Sequence, residues 1–145
     1  MEAKAFSHIY LPSRNAEESI AFYTERLGFK LLRKYTMGGR LSAYCELGGV
    51  LLEVTDGAEN TPDQDGRTEP RIGLQVADIA EAIAELRAAG VHVEREPWSA
   101  RTFWGLQAMI KDPSGYIISL REWQEPDGPH YPDWQPVHDD VERLA

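Results

Sequence analysis

Alternating and helically spaced apolar residues predict a strand, a helix and three further strands in the first part of the chain. The predicted strands cover residues 4–11, 29–35, 41–47 and 50–55. Asn15 is the expected N-cap of the helix and Gly28 its expected stop, because an amide side chain satisfies the first helical N–H groups and glycine tolerates a left-handed ending. Pro12 is expected to end the first strand, and two glycine pairs are expected to form hairpin turns.

The same order of elements recurs in the second part of the chain. The predicted strands there cover residues 71–76, 91–96, 105–110 and 116–122, and the predicted helix lies between Asp78 and Gly90. Corresponding residues of the two parts are separated by a nearly constant number of positions. Arg71 follows His8 by 63 residues, and Ser119 follows Glu53 by 66. A supersecondary unit that repeats in this way indicates two βαβββ modules.

Two segments fall outside the repeat. Residues 56–69 are rich in Gly, Pro, Asp, Asn and Thr, which predicts an exposed linker between the modules. Residues 124–145 contain four prolines and several acidic residues, which predicts an arm or a lid rather than core. A short helix is expected near residues 137–144.

Strand alternation places the chemically interesting residues on one face of each predicted sheet. The residues predicted to share such faces are Phe6, His8 and Tyr10; Leu51, Glu53 and Thr55; Arg71, Gly73 and Gln75; and Ile117, Ser119 and Arg121. The opposite faces are apolar and are expected to pack on the helices, so the polar members are expected to line a cleft. Because a charged residue in an apolar strand needs a partner, an ion pair between Glu53 and Arg71 is one hypothesis.

Composition narrows the range of functions. A chain of 145 residues with 42% apolar residues is expected to form one compact domain. Its net charge of −9 argues against a nucleic-acid partner, because binding nucleic acid demands a basic surface. The negative charge either favours a cationic ligand or keeps the protein soluble. No run reaches the roughly 18 apolar residues that span a bilayer, so no membrane partner is expected. The lone Cys45 and an N-terminus unlike a signal peptide favour a cytoplasmic location.

Two stretches resemble a known family, HIYLPSRNAEESIAFYTERLGF at residues 8–29 and WGLQAMIKDPSGYIISL at residues 104–120. Together with the duplicated βαβββ order, they resemble the vicinal oxygen chelate superfamily, which includes glyoxalase I, bleomycin resistance proteins and extradiol dioxygenases. The resemblance implies an α+β fold in which two βαβββ modules form a cleft, and a homodimer. It also implies one domain over residues 1–123, with modules at 4–56 and 70–123, followed by a tail at 124–145.

Metal-using members of that superfamily take ligands from positions that correspond here to His8, Glu53, Arg71 and Ser119. His8 and Glu53 suit a divalent cation. Arg71 does not, because a guanidinium only donates hydrogen bonds, and Ser119 is a weak neutral ligand. We therefore expect no cofactor. The alternative is a divalent Fe, Mn, Ni or Zn ion held by His8 and Glu53 with water and substrate.

Aromatic residues are frequent near the polar face of the second module, and flat ligands stack on such walls. The candidate ligand-binding residues are Tyr10, Arg71, Gln75, Trp98, Phe103, Trp104, Ser119 and Arg121, and Trp123 lies near them in sequence. Packing at a dimer interface is the alternative role of the aromatic residues. Arg71 and Arg121 are candidates to clamp a carboxylate or phosphate, or else form salt bridges with nearby glutamates.

Two functional hypotheses follow from these residues. The favoured one is a metal-free small-molecule-binding protein for an aromatic or drug-like ligand, similar to the bleomycin-resistance branch of the superfamily. The alternative is an enzyme, a metal-dependent or metal-free lyase, isomerase or dioxygenase. In that case Glu53 or His8 is the catalytic general base, and Arg71 or Arg121 stabilises an enolate-like oxyanion.

Overall fold

The structure, a computed structural model, describes residues 1–62 and 71–144. These residues form two units, one of residues 1–62 with Asp112–Tyr116 and one of residues 71–111 with 117–144. Each unit contains one four-stranded mixed sheet, so the α+β class and the two βαβββ modules predicted from the sequence are confirmed. Among the described residues, no helix is long and apolar enough to cross a membrane.

The two units have the same order of elements. The first contains β1 (Ile9–Ser13), α1 (Ala16–Ala21) continued by a π-helical turn (Phe22–Arg26), β2 (Lys30–Met37), β3 (Arg40–Leu47), β4 (Val50–Asp56) and a 3-10 turn (Ala58–Asn60). The second contains β5 (Ile72–Gln75), α2 (Ile79–Ala88), β6 (Val93–Ser99), β7 (Gly105–Lys111), β8 (Ile117–Trp123) and a 3-10 turn (Gly128–His130). The strand orders are β1-β4-β3-β2 and β5-β8-β7-β6, and in each sheet the first two strands are parallel.

Both helices begin and end where the sequence predicts. The side chain of Asn15 accepts a hydrogen bond from the Glu18 amide at 3.1 Å, and that of Asp78 accepts one from the Glu81 amide at 2.9 Å. Gly28, with a φ of 76°, follows the first helix in the left-handed region that glycine adopts without strain. Each helix covers an apolar sheet face, whose most buried residues are Leu11, Leu52, Val54, Ile118 and Leu120.

The first strand begins at Ile9 instead of at residue 4. Three further expectations for individual segments are wrong. Pro12 does not end the first strand, since β1 continues to Ser13; β1 is an edge strand, where a missing N–H is tolerated. Residues 137–144 form turns and extended chain instead of a helix, because so short a segment does not hold a helix on its own. The predicted linker is exposed at 58–60, but Thr61 and Pro62 are buried. Residues 63–69 of that linker lie outside the described residues.

The turn between β7 and β8, Asp112–Tyr116, belongs to the first unit and forms hydrogen bonds with its helix and its first strand. The Asp112 carboxylate accepts hydrogen bonds from the amides of Ser114 and Tyr116 at 2.8 and 2.9 Å. Its other oxygen accepts the hydroxyl of Tyr23 at 2.7 Å, and the hydroxyl of Tyr116 donates to the Pro12 carbonyl at 2.9 Å. Tyr23 is fully buried. Burial and the Asp112 charge raise the pKa of the Tyr23 phenol well above its ordinary value of 10.0.

Replacing Tyr23 by Phe is expected to lower the free energy of unfolding by about 1–3 kcal/mol, because the buried carboxylate of Asp112 loses the hydrogen bond from the Tyr23 hydroxyl. Urea denaturation measures the loss, and Tyr10→Phe, at a half-exposed position, is the matched control with a change near zero. The raised pKa stabilises the fold below pH 10.0, and this contribution is lost as the pH rises through the folded-state pKa. Tyr23→Phe should therefore weaken the alkaline loss of stability, and an unchanged profile would contradict this role.

Candidate functional site

A row of polar side chains crosses the first sheet. Tyr10 of β1 is in register with Glu53 of β4, Glu53 with Tyr44 of β3, and Tyr44 with Arg33 of β2. Residues in register on neighbouring strands point to the same face, so these four side chains share one face. Tyr35, two residues beyond Arg33 in β2, belongs to that face as well.

Glu53 is the centre of this row. One of its carboxylate oxygens lies 3.0 Å from Nε2 of His8, and the other accepts the Tyr35 hydroxyl at 3.1 Å. Nδ1 of His8 lies 2.9 Å from the hydroxyl of Ser7, a pattern satisfied when the ring carries its proton on Nε2. The side chains of Glu53 and His8 are 18% and 33% exposed. The half-buried carboxylate therefore has two partners from its own unit, as a charged residue in an apolar strand requires.

Partial burial and the charge of Glu53 change the pKa of Tyr35. Burial and the hydrogen bond to the Glu53 carboxylate raise the pKa of its phenol, because a nearby negative charge opposes formation of the phenolate. Tyr35 thus stays a neutral donor to Glu53 at physiological pH. The ion pair between Glu53 and Arg71 that the sequence suggests stays a prediction.

Two tyrosine rings form an aromatic surface beside Glu53. The centroids of Tyr35 and Tyr44 are 6.2 Å apart with the rings tilted by 30°, and His8 meets Tyr44 edge-on at 5.8 Å. With Arg33 and Lys34, the two tyrosines line an open concavity of about 570 Å³. Sequence reasoning missed Arg33, Tyr35 and Tyr44, although the tight glycine turn between β2 and β3 was sufficient to pair Arg33 with Tyr44.

The second sheet carries equivalent rows with different residues. Gln75, Arg121, Gln107 and Trp98 are in register from β5 to β6, as are Gly73, Ser119, Met109 and Arg95. Gln107 donates to the Ser119 hydroxyl at 2.9 Å, and the guanidinium of Arg95 lies 3.7 Å from the ring centroid of Trp98. The structure thus brings Gln75, Trp98, Ser119 and Arg121 to one face, whereas Arg71 lies exposed before β5.

Arg121 is distinctive in the second sheet. Its Nε is buried and has no hydrogen-bond partner among the residues that the structure describes. Its guanidinium carbon lies 5.3 Å from the ring centroid of Phe103, and Phe103 stacks on Trp123 at 4.1 Å. Trp104 instead contacts the tail, because its indole N–H donates to the Gln135 carbonyl at 3.2 Å. A buried donor without a partner among the described residues is rare in folded proteins.

The positions that the resemblance assigns to a metal do not supply a full set of donors. His8 and Glu53 come together, but Ser119 is engaged by Gln107, and Arg71 has no acceptor or ligand atom. Throughout residues 1–62 and 71–144, no three His, Cys, Asp or Glu side chains are grouped so that they could hold a metal ion. Catalytic metals commonly take about three protein ligands and a water, and this donor set does not fit them.

Comparisons with known proteins agree with the duplicated fold. A probable lactoylglutathione lyase of Vibrio cholerae is 32% identical over 120 residues, which cover 78% of this chain and 86% of that protein. Glyoxalase I of Leishmania major has a TM-score of 0.67 at 28% identity, covering 83% of this chain and 87% of that one. TnmS3, an antibiotic binding protein from Streptomyces sp. CB03234, has a TM-score of 0.61 at 27% identity, covering 83% and 98%.

A family model decides the assignment. The model described as Glyoxalase/Bleomycin resistance protein/Dioxygenase superfamily matches residues 5–120, which include all eight strands except the end of β8. The match covers both modules, and it therefore agrees with the resemblance that the two sequence stretches carry. This chain belongs to the Glyoxalase/Bleomycin resistance protein/Dioxygenase superfamily.

Proposed function

We propose that this protein binds a flat aromatic small molecule on the polar face of its first sheet, without a metal ion. The observation that carries the proposal is the open concavity of about 570 Å³ whose walls include the rings of Tyr35 and Tyr44. Small-molecule sites commonly have volumes of about 300–1,000 Å³ and aromatic walls. Offset stacking on two neighbouring tyrosines suits a conjugated ligand.

The charges around the concavity favour an acidic or hydroxylated aromatic ligand. Lys34 is paired with Glu17 at 2.7 Å, so Arg33 supplies the cationic donor on this rim. A guanidinium binds a carboxylate or phenolate through two parallel hydrogen bonds. The net charge of −9 favours cationic ligands at long range, but a contact within a few ångströms outweighs a distant field screened by salt.

The neighbouring polar pair supports binding without a metal. Glu53 already has His8 on one oxygen and Tyr35 on the other, and the remaining positions of the superfamily's metal set are Arg71 and Ser119. The likeness to the antibiotic binding protein TnmS3, which this chain covers almost completely, points to the same class of function. Roles in ligand binding stay predictions for Tyr10, Arg71, Gln75, Trp98, Phe103, Trp104, Ser119 and Arg121, as does the homodimer.

Calorimetry against a panel of polyaromatic and glycopeptide antibiotics tests the proposal. Tyr44→Ala and Tyr35→Ala are each expected to weaken binding roughly tenfold, because each removes stacking worth about 1 kcal/mol and the area it covers. Thr36→Ala, on the opposite face of β2, is the matched control and should bind like the parent protein. Absence of binding across the panel, or equal affinity of all three variants, would sink the proposal.

Metal content tests the second half of the proposal. The untagged protein is incubated separately with Fe²⁺, Mn²⁺, Ni²⁺ and Zn²⁺, desalted and analysed by mass spectrometry. We expect no stoichiometric metal, because His8 and Glu53 supply two ligands where about three are usual. A metal retained at one equivalent and lost in Glu53→Ala would show that the site is a metal centre.

A second candidate function is a lyase or isomerase reaction, favoured by the Glu53–His8–Tyr35 arrangement and by the relatives named lactoylglutathione lyase. In that function the Glu53 carboxylate removes a proton from carbon beside a carbonyl group. When substrate binds, the neutral Tyr35 hydroxyl leaves the Glu53 carboxylate and donates its one hydrogen bond to the oxygen that becomes negative. His8 keeps the carboxylate oriented through its second oxygen.

The lyase candidate predicts a large effect of one substitution. The protein is given methylglyoxal and glutathione, and formation of the lactoylglutathione thioester is followed by ultraviolet absorbance. If the reaction occurs, Glu53→Gln should lower its rate at least about 100-fold, since a general base contributes on that scale. Thr36→Ala serves as the control. Undiminished turnover in Glu53→Gln would eliminate Glu53 as the base, and no turnover in the parent protein would eliminate this candidate.

A further inference from the structure

The tail at residues 124–144 lies beyond the family match, which ends at residue 120. It is fastened to the segment between β6 and β7 at several points. The amide of Gln124 donates to the Trp104 carbonyl at 2.8 Å, and the Trp104 indole donates to the Gln135 carbonyl at 3.2 Å. Arg101 forms an ion pair with Asp140. The tail is thus bonded to the rest of the second unit, and it lies outside the residues that the family model matches.

A small pocket lies where the tail meets this segment. Its volume is about 130 Å³. Its lining residues are Thr102, Phe103, Trp123, Glu125, Gly128, Pro129, Tyr131 and Trp134. Gly128 comes so close that a Cβ there would lie 3.3 Å from the Trp123 ring, so the tail backbone packs directly on the indole. The pocket is walled by four aromatic side chains and holds one carboxylate.

The charge of the tail favours a cation in this pocket. Residues 124–144 contain six acidic residues and a single Lys or Arg, namely Arg143. Arg143 donates to the carbonyls of Pro132 and Trp134 at 2.9 and 2.7 Å, and its guanidinium lies 5.2 Å from the Trp134 ring centroid. The tail therefore already holds one cation against an aromatic ring, and Glu125 is left as the carboxylate at the pocket.

We propose that this pocket binds a small methylated ammonium group. This inference goes beyond the proposed function and uses none of the residues that line the concavity on the first sheet. The volume is below the roughly 300 Å³ typical of drug-sized sites but suits a compact head group. Aromatic walls attract a methylated cation through their ring electrons while burying its methyl groups. Glu125 supplies the opposite charge.

The test compares choline with its neutral carbon analogue 3,3-dimethyl-1-butanol by calorimetry on the full chain. Choline is expected to bind saturably and at least about tenfold more tightly than the alcohol, because shape and methyl burial are the same and only the charge differs. Glu125→Gln, which keeps the side-chain shape, should weaken choline binding about fivefold to thirtyfold. Trp134→Leu should weaken it as well. Glu142→Gln, a tail acid outside the pocket lining, is the matched control and should change nothing.

Three outcomes would overturn the inference. They are no saturable choline binding, equal binding of choline and the alcohol, and choline binding that Glu125→Gln leaves unchanged. Near-ultraviolet circular dichroism confirms that each variant keeps the packing of Trp123, and that Glu125→Gln also keeps that of Trp134. Tyr44→Ala should leave choline binding intact, so a failure of this inference and a failure of the aromatic site on the first sheet are distinguished by separate variants.

Discussion

The half-buried carboxylate of Glu53 is the constraint around which the polar face of the first sheet is arranged. A negative charge within the apolar segment of β4 is costly unless each oxygen is bonded. His8, just before β1, and Tyr35 in β2 meet that requirement at 3.0 and 3.1 Å. Tyr35 is thereby fixed next to Tyr44, and the two rings become the wall of the concavity. The charge of Glu53 thus determines both the hydrogen bonds on this face and the position of a ring that lines the concavity.

The two units show how one backbone plan carries two chemistries. Ser119 takes the register position of Glu53, Met109 that of Tyr44, and Arg95 that of Arg33. That row of the second sheet therefore has no carboxylate to balance. In the neighbouring row, Arg121 has a buried Nε without a hydrogen-bond partner among the described residues.

The tail adds a third chemical environment that the duplication does not supply. Its prolines prevent a long helix, and its acids repel one another, so order comes from contacts with Trp104, Arg101 and Trp123. The small aromatic pocket is a consequence of that packing. The family match ends before the tail begins.

The sequence by itself determined the order of elements, the helix caps at Asn15 and Asp78, and the apolar sheet faces, because these follow from local geometry and a fixed side-chain period. The two-residue turn between β2 and β3 also sets the register that pairs Arg33 with Tyr44. In the same way, the turn between β3 and β4 sets the register that pairs Tyr44 with Glu53.

Only the tertiary structure decided which polar groups bond and which do not. Tyr23 and Asp112 are 89 residues apart, and Trp104 and Gln135 are 31 apart, so no local pattern could reveal their contacts. The continuation of β1 through Pro12 depended on its place at the sheet edge, and the irregular tail depended on what it packs against. Side-chain reach across strands and packing between distant segments are three-dimensional quantities, which alternation and spacing along the chain do not encode.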